Sequence, residues 1–459
     1  MSSEQDKPAD EAKDRPGAKD QPGSVAVVDE LHHDEAAATE AALASAPEAV
    51  ATSLGEYTRL WLRRVRSGES GALPVILGLI AIGAYFQVSQ HAFLSAANIA
   101  NLMGQAGWII AIAMAQVFVL LLGEIDLSVG FNAACGATVT FWALATHNPW
   151  PTWAAIIVGL AFSGACAAIQ GLIVVSLRIP SFVVTLAGYL GLSGILLWLF
   201  EKSGPVGNGG VISDTGFKSG FINGLVFGNI PPTAGWIALI VLVVVAAAFM
   251  ITRDRRRRAH NLVAPPLSVT LLKIAVTAAI GVVLVAVLNV NRSRGATPLQ
   301  GVPWVVPIVL GLLAVTTVLL TRTRFGRYMY AIGGNAEAAR RAGVNLGRIR
   351  VLAFACTGLM AGVTGILYAS NLGSISNGFL GGQYVLYSVA GAVIGGVSLF
   401  GGRGRMLGAV LGGFVVAVIY NGVDLLGLGA AAQYIWTAVV LLAAVTLDSV
   451  ARRGSTATR

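Results

Sequence analysis

Residues 109–145 read IIAIAMAQVFVLLLGEIDLSVGFNAACGATVTFWALA. Two uncharged apolar runs flank the octapeptide Gly123-Glu124-Ile125-Asp126-Leu127-Ser128-Val129-Gly130. Extended outward to 98–122 and 127–146, each run is long enough to cross a bilayer as a helix. A carboxylate at mid-bilayer costs about 2.5–3.5 kcal/mol on insertion scales. The pair Glu124 and Asp126 is therefore chemistry, a coupling-ion site or the bend of a hairpin. The rest of the chain decides which.

The same apolar runs recur along all but the ends. The 459 residues are 55% hydrophobic and only 12% charged, with mean hydropathy +0.74. Those values exclude an ordinary soluble domain. The alternating strands of an outer-membrane barrel are absent from the pattern. The expectation is an all-α polytopic membrane protein with about 12 transmembrane helices, near 73–90, 98–122, 127–146, 153–176, 181–200, 235–251, 267–289, 302–320, 350–370, 383–400, 405–427 and 432–448.

Basic residues set the orientation. Arg59, Arg63, Arg64 and Arg66 precede the first span, and Arg253 and Arg255 to Arg258 follow the sixth. Seven arginines lie in 322–350, and Arg452 and Arg453 follow the last span. With both termini cytoplasmic, only Lys202, Lys218, Arg292 and Arg294 face outward. This puts Glu124 and Asp126 at the inner end of a hairpin, where water or interfacial groups reach them. Asp126 followed by Ser128 fits a helix N-cap region, and Gly123 and Gly130 supply the break between spans. These five residues read as a cytoplasmic hinge rather than a proton relay.

Segment 1–55 is expected to be a disordered acidic tail, since residues 1–50 hold 12 acids against 4 bases and no periodic apolar face. Segment 56–450 is expected to form one membrane domain and 451–459 a cytoplasmic C-terminal tail. The cluster RDRRRR reads as a topology anchor that touches anionic lipid, not as a nucleic-acid site. Cys135, Cys166 and Cys356 are scattered through apolar runs, and no His or Cys pair has metal spacing, so no metal and no cofactor is expected. The Gly-, Asn- and Pro-rich segment 201–234 is the longest external one. It is either a surface for an extracytoplasmic partner or a plain connector.

No phosphate-binding GxxxxGK[ST] loop and no Ser/His/Asp constellation is present. Uphill movement would need an ion gradient or a separate energy-supplying subunit. Ionisable residues are nearly missing from the spans, which argues against a gradient-driven carrier.

The inner segment 322–350, RTRFGRYMYAIGGNAEAARRAGVNLGRIR, contains a punctuated short helix in a long loop. Asn335 is a good N-cap, and Glu337 suits the first turn. Ala338 lies inside. Arg340 and Arg341 suit the last turn, and Gly343 can take the left-handed position that ends a helix. Such a helix can insert into a cleft on a soluble partner, or lie solvated at the interface.

GEIDLSVG, GRYMYAIGGNAEAARRAGVN (326–345) and VIGGVSLFGGRGRMLGAVLGG (393–413) together resemble the permeases of ribose/xylose-type ABC importers. The likeness runs from about residue 85 to 450. Glu124 before Ile-Asp-Leu-Ser, the extra spans around 235–289 and NVNRSRGATPLQGVPWVV resemble the xylose branch. GFLGGQ (378–383) departs from the usual pattern.

The resemblance implies a permease in the bacterial cytoplasmic membrane that forms a homodimer. A sugar-type ABC ATPase would do the hydrolysis, and an extracytoplasmic sugar-binding protein would deliver a monosaccharide, most closely D-xylose. The helix from Asn335 to Gly343 would couple to the ATPase. Other sugars, autoinducers and nucleosides fit the same family, and an ion-coupled carrier is the reading from another class. Sparse polar residues are candidates for the path: Asn98, Asn101, Gln105, Gln116, Gln170, Asn371, Asn377, Gln383, Asn421 and Asp424. For each of them an interhelical hydrogen bond competes with a sugar contact.

Overall fold

A computed structural model describes residues 73–145, 150–202, 211–213, 221–260, 264–293, 298–376, 381–429 and 431–439, with a few isolated positions besides. The expected tails 1–55 and 451–459 therefore lie outside the described residues, apart from Gly55.

Fourteen helices follow in chain order: α1 (Leu73–Ser89), α2 (Ala96–Leu120), α3 (Val129–Ala145), α4 (Thr152–Leu177), α5 (Ser181–Lys202), α6 (Phe221–Phe227), α7 (Pro232–Ala259), α8 (Leu267–Leu288), α9 (Val305–Arg322), α10 (Arg324–Gly334), α11 (Ala336–Arg341), α12 (Leu346–Leu372), α13 (Gly381–Ile394) and α14 (Met406–Leu425). Residues 431–439 are also helical. Among the described residues, eight helices are long and apolar enough to cross a membrane: α2, α4, α5, α7, α8, α9, α12 and α14. Helices α1 and α3 are shorter but apolar.

The chain divides into two compact units. The smaller holds 250–272, the turn between α7 and α8. There Asp254 accepts from Thr270 (2.7 Å) and Arg253 (3.1 Å), and Arg258 donates to the Pro265 carbonyl (2.7 Å). The basic run is thus helical, because α7 continues to Ala259, eight residues past the expected end of its span.

In the larger unit α2 is the central helix, with 94% of its most apolar window buried, against 6% for α7 and 11% for α8. It packs on α12, α13 and α14. Glycine lets these backbones meet. A Cβ at Gly395 or Gly408 would strike the backbone of the other, and one at Gly412 would strike the Gly391 carbonyl. A Cβ at Gly358 would strike the Ser163 carbonyl of α4, and one at Gly362 would crowd the Leu160 and Ser163 side chains. All these GxxxG pairs are filled by packing within one chain.

Four short strands tie the connectors at the end opposite 323–345. β1 (Val211–Ser213) pairs with β4 (Ser374–Ser376), and β2 (Asn229–Ile230) with β3 (Val302–Pro303), both antiparallel. Arg292 donates to Asn229 Oδ1 (2.8 Å) and to the Leu288 carbonyl (2.5 Å). Part of the segment 201–234 is thus bonded to other connectors of the bundle. Segments that the basic-residue pattern assigns to one side are bonded to one another.

Candidate functional site

Three connectors converge at the other end: 121–128 between α2 and α3, 323–345 between α9 and α12, and 395–405 between α13 and α14. Gly402 N–H donates to the Leu121 carbonyl (2.9 Å) and Tyr330 Oη to the Gly404 carbonyl (2.8 Å). Gly333 lies where any side chain would strike Leu121 and Gly402. The three segments whose motifs stand out in the sequence thus form one surface.

The short helix α11 forms as its residue types dictate. Asn335, in extended backbone, accepts from Ala338 N–H (2.9 Å). Glu337 pairs with Arg340 (2.9 Å) and Arg341 (3.1 Å), which holds its exposed carboxyl below the usual range. Gly343 has φ +81°, its N–H bonds the Arg340 carbonyl (3.0 Å), and Val344 N–H bonds that of Ala339 (3.1 Å). That double closure is a Schellman ending. Ala338 is exposed and Ala339 is buried beneath it.

The surroundings of α11 correct the expectation of a long loop. Residues 324–334 form the further helix α10, capped by Thr323, whose Oγ1 accepts from Gly326 N–H (3.3 Å). The signal was present: Phe325, Met329 and Ile332 recur at helical spacing, and Met329 and Ile332 are buried.

The hinge is also drier than expected. Asp126 and Ser128 are fully buried, not water-accessible, and α5 holds the backbone beside them. Ile125 N–H bonds Ser181 Oγ (3.2 Å), and Thr185 Oγ1 bonds the Ile125 carbonyl (3.2 Å). Asp126 Oδ1 accepts from both the Ser128 N–H and Oγ–H at 2.7 Å, so it does serve the start of α3. Its Oδ2 has no partner among the described residues. Burial pushes the Asp126 carboxyl up, against the hydrogen bonds from Ser128. Gly123, at φ +74°, makes the break. Gly130 does not: it is inside α3, pressed against the Gly381 carbonyl.

Glu124 points the other way. Its Oε1 lies 3.2 Å from Arg350 Nε, on the second turn of α12. A cavity of about 680 Å³ opens beside this ion pair, lined among others by Arg178, Pro180, Arg340 and Gly347.

The chain matches the family model described as a permease component of a branched-chain amino acid transport system, over residues 98–256 and 262–445. It is similar to the xylose transport system permease protein of Escherichia coli K12, 35% identical over 83% of this chain and 92% of that one. The corresponding Haemophilus influenzae protein is 35% identical over 83% and 97%. The ribose import permease protein of Escherichia coli K12 is 28% identical over 86% and 96%. The chain belongs to the ribose/xylose-type ABC permease family. No solved structure matches it. The permease is a multi-pass protein of the inner membrane, and the matched span includes every connector of the surface above.

Within the permease, the candidate path residues separate. Asn421 Nδ2 bonds Gln105 Oε1 (2.9 Å), and Asn98 Nδ2 bonds Asn421 Oδ1 (2.8 Å), so three amides satisfy one another between α2 and α14. Gln170 Oε1 lies 3.0 Å from Ser128 Oγ, so Gln170 packs on the hinge. Asn101 and Asp424 are exposed, and Asn371 is half-buried against Gly104. Gln116 is fully buried, and neither atom of its amide has a hydrogen-bond partner among the described residues. Asn377 lies outside the described residues.

Beside the amides lies an aromatic cluster that the polar residues do not point to. Trp108 of α2 stands edge-on to Tyr384 (5.0 Å), Tyr368 (5.2 Å) and Tyr420 (5.8 Å) from three other helices. Gln383 joins it through the Tyr387 hydroxyl. Its members come from four helices, so apart from the Tyr384/Tyr387 spacing no local pattern announces them.

Proposed function

We propose that this permease is the translocation subunit of an ATP-driven importer for a monosaccharide, D-xylose, and carries no hydrolytic activity itself. One observation carries the substrate: the 35% identity to two xylose permeases spans 83% of the chain. The 28% match to a ribose permease supports ribose as the second reading.

Two copies line the path, and a sugar-type ABC ATPase supplies hydrolysis. The capped geometry of α11 supports the coupling role, with Asn335, Glu337, Ala338, Arg340, Arg341 and Gly343 as its parts. An exposed rigid helix whose far side packs on the bundle transmits a push better than a loop. The hinge residues Gly123, Glu124, Asp126 and Ser128 lie next to that push. On the external side, 201–234 receives the sugar-binding protein. Asn98, Asn101, Gln105, Gln116, Gln170, Asn371, Asn421 and Asp424 remain the polar residues near the path, with Gln116 first because nothing in the bundle satisfies it. Membrane lipid is the only other partner, with no nucleic acid.

The test is uptake of labelled xylose, ribose, galactose and arabinose in a strain lacking its own pentose permeases. Xylose uptake that depends on this chain and on its ATPase is expected. Preference for a non-pentose, or uptake without any ATPase, would overturn the reading.

A further inference from the structure

Arg178 is the one non-glycine residue with positive φ among the described residues (φ 57°, ψ 32°), and it ends α4. L side chains avoid that conformation, and glycine is the usual residue there. An arginine retained against backbone preference has a use for its side chain. Its exposed side chain lines the 680 Å³ cavity together with Arg340 of α11 and Arg350 of α12. Three arginines and a single acidic residue, Glu124, are in that lining. Arg350 is held by Glu124 and Arg340 by Glu337, whereas Arg178 has no hydrogen-bond or ion-pair partner among the described residues.

We propose that this cavity seats an acidic side chain of the soluble ATPase partner, with Arg178 as its anchor. Charge complementarity selects a carboxylate, because a guanidinium forms paired hydrogen bonds with one. Continuity selects the ATPase: Arg340 belongs to both the cavity and α11, so whatever grips α11 stands at the mouth. The incoming carboxylate also competes with Glu124 for Arg350, so docking loosens the hold of α12 on the 121–128 connector. The proposal rests on the coupling role of α11 and adds a second point of contact.

The test is co-purification of the whole permease with a co-expressed sugar-type ABC ATPase, at low and high salt, with the melting temperature of each variant. Arg178→Gly suits the backbone. It is expected to melt at or above the wild-type temperature while the co-purified ATPase and coupled uptake fall about tenfold, as for loss of one charge-assisted hydrogen bond. Arg178→Lys should recover part of the loss. Wild-type assembly should weaken with salt, and Arg178→Gly assembly should depend on it less.

Unchanged assembly of Arg178→Gly overturns the proposal, as does a fall in assembly matched by a fall in melting temperature. Loss of bound anionic phospholipid with assembly intact would make the cavity a lipid seat and overturn it too. Absence of any ATPase on the wild-type permease would instead overturn the coupling reading itself.

Discussion

Glu124 Oε1 lies 3.2 Å from Arg350 Nε, with the two side chains 14% and 32% exposed. The pair joins the α2–α3 connector to α12, the helix entered directly after α11. It is intermediate between a solvated surface pair, worth about 0–1 kcal/mol, and a buried one, whose breaking costs about 3–5 kcal/mol. A double-mutant cycle of Glu124→Gln and Arg350→Gln on thermal unfolding in detergent should give a coupling energy of about 1–2 kcal/mol. Each single variant should hydrolyse ATP with its ATPase but move less sugar per ATP. Additive effects would remove the link between the two elements.

The ends of α11 are separately testable. Asn335→Ala should cost about 1 kcal/mol of local helix stability through loss of the cap. Gly343→Ala, forced into the left-handed region at φ +81°, should cost about 1–2 kcal/mol. Both should reduce ATPase co-purification without changing the overall melting temperature. Hydrogen exchange of 335–344 reads the local effect.

Asp126 makes a prediction with a sign. Burial raises its folded carboxyl above the unfolded value, so the folded chain holds that proton more tightly. Relative to Asp126→Asn, the wild type should gain stability as pH falls through its folded value and gain no more below the unfolded value of about 3.9. Asp126→Asn keeps an acceptor for Ser128 and should retain uptake. Asp126→Ala should lose about 1–2 kcal/mol with the two hydrogen bonds. A melting curve at several pH values for the three proteins checks this.

The amides should divide by partner. Asn421→Ala leaves Gln105 and Asn98 short of a partner and should cost about 0.6–1.7 kcal/mol, the span of interhelical hydrogen bonds in membranes. Gln116→Leu removes an unsatisfied amide and should raise the melting temperature. If that amide serves passage of the sugar, uptake falls while stability rises.

Gly395 and Gly408 hold α13 against α14 through backbone contact. Gly408→Val should cost about 1–3 kcal/mol as overpacking. Thermal unfolding in detergent reads it directly.

Much of this was legible in the primary structure for one reason: its signals are local. Apolar run length marked the spans, and arginine placement paired the connectors that the bundle does bond together. Cap residues within a nine-residue window specified α11 down to its Schellman glycine. Helix α10 was legible too, through Thr323 and the Phe325-Met329-Ile332 spacing, but it was masked by the charge and glycine of the surrounding segment.

What only the tertiary structure decided depends on who stands beside whom. Asp126 is dry, and its neighbour Ile125 is tied to Ser181 and Thr185, residues more than fifty positions on that no local pattern points to. Gly130 packs instead of bending because Gly381 crosses it. Glu124 found Arg350, Gln105 found Asn421, and Gln116 found no partner among the described residues. Sequence alone determined a membrane-spanning helical permease with a capped inner helix, since hydrophobicity, charge and caps act over a few turns. The bundle decided which polar groups are satisfied, because in a medium without water a side chain's role is set by its nearest partner.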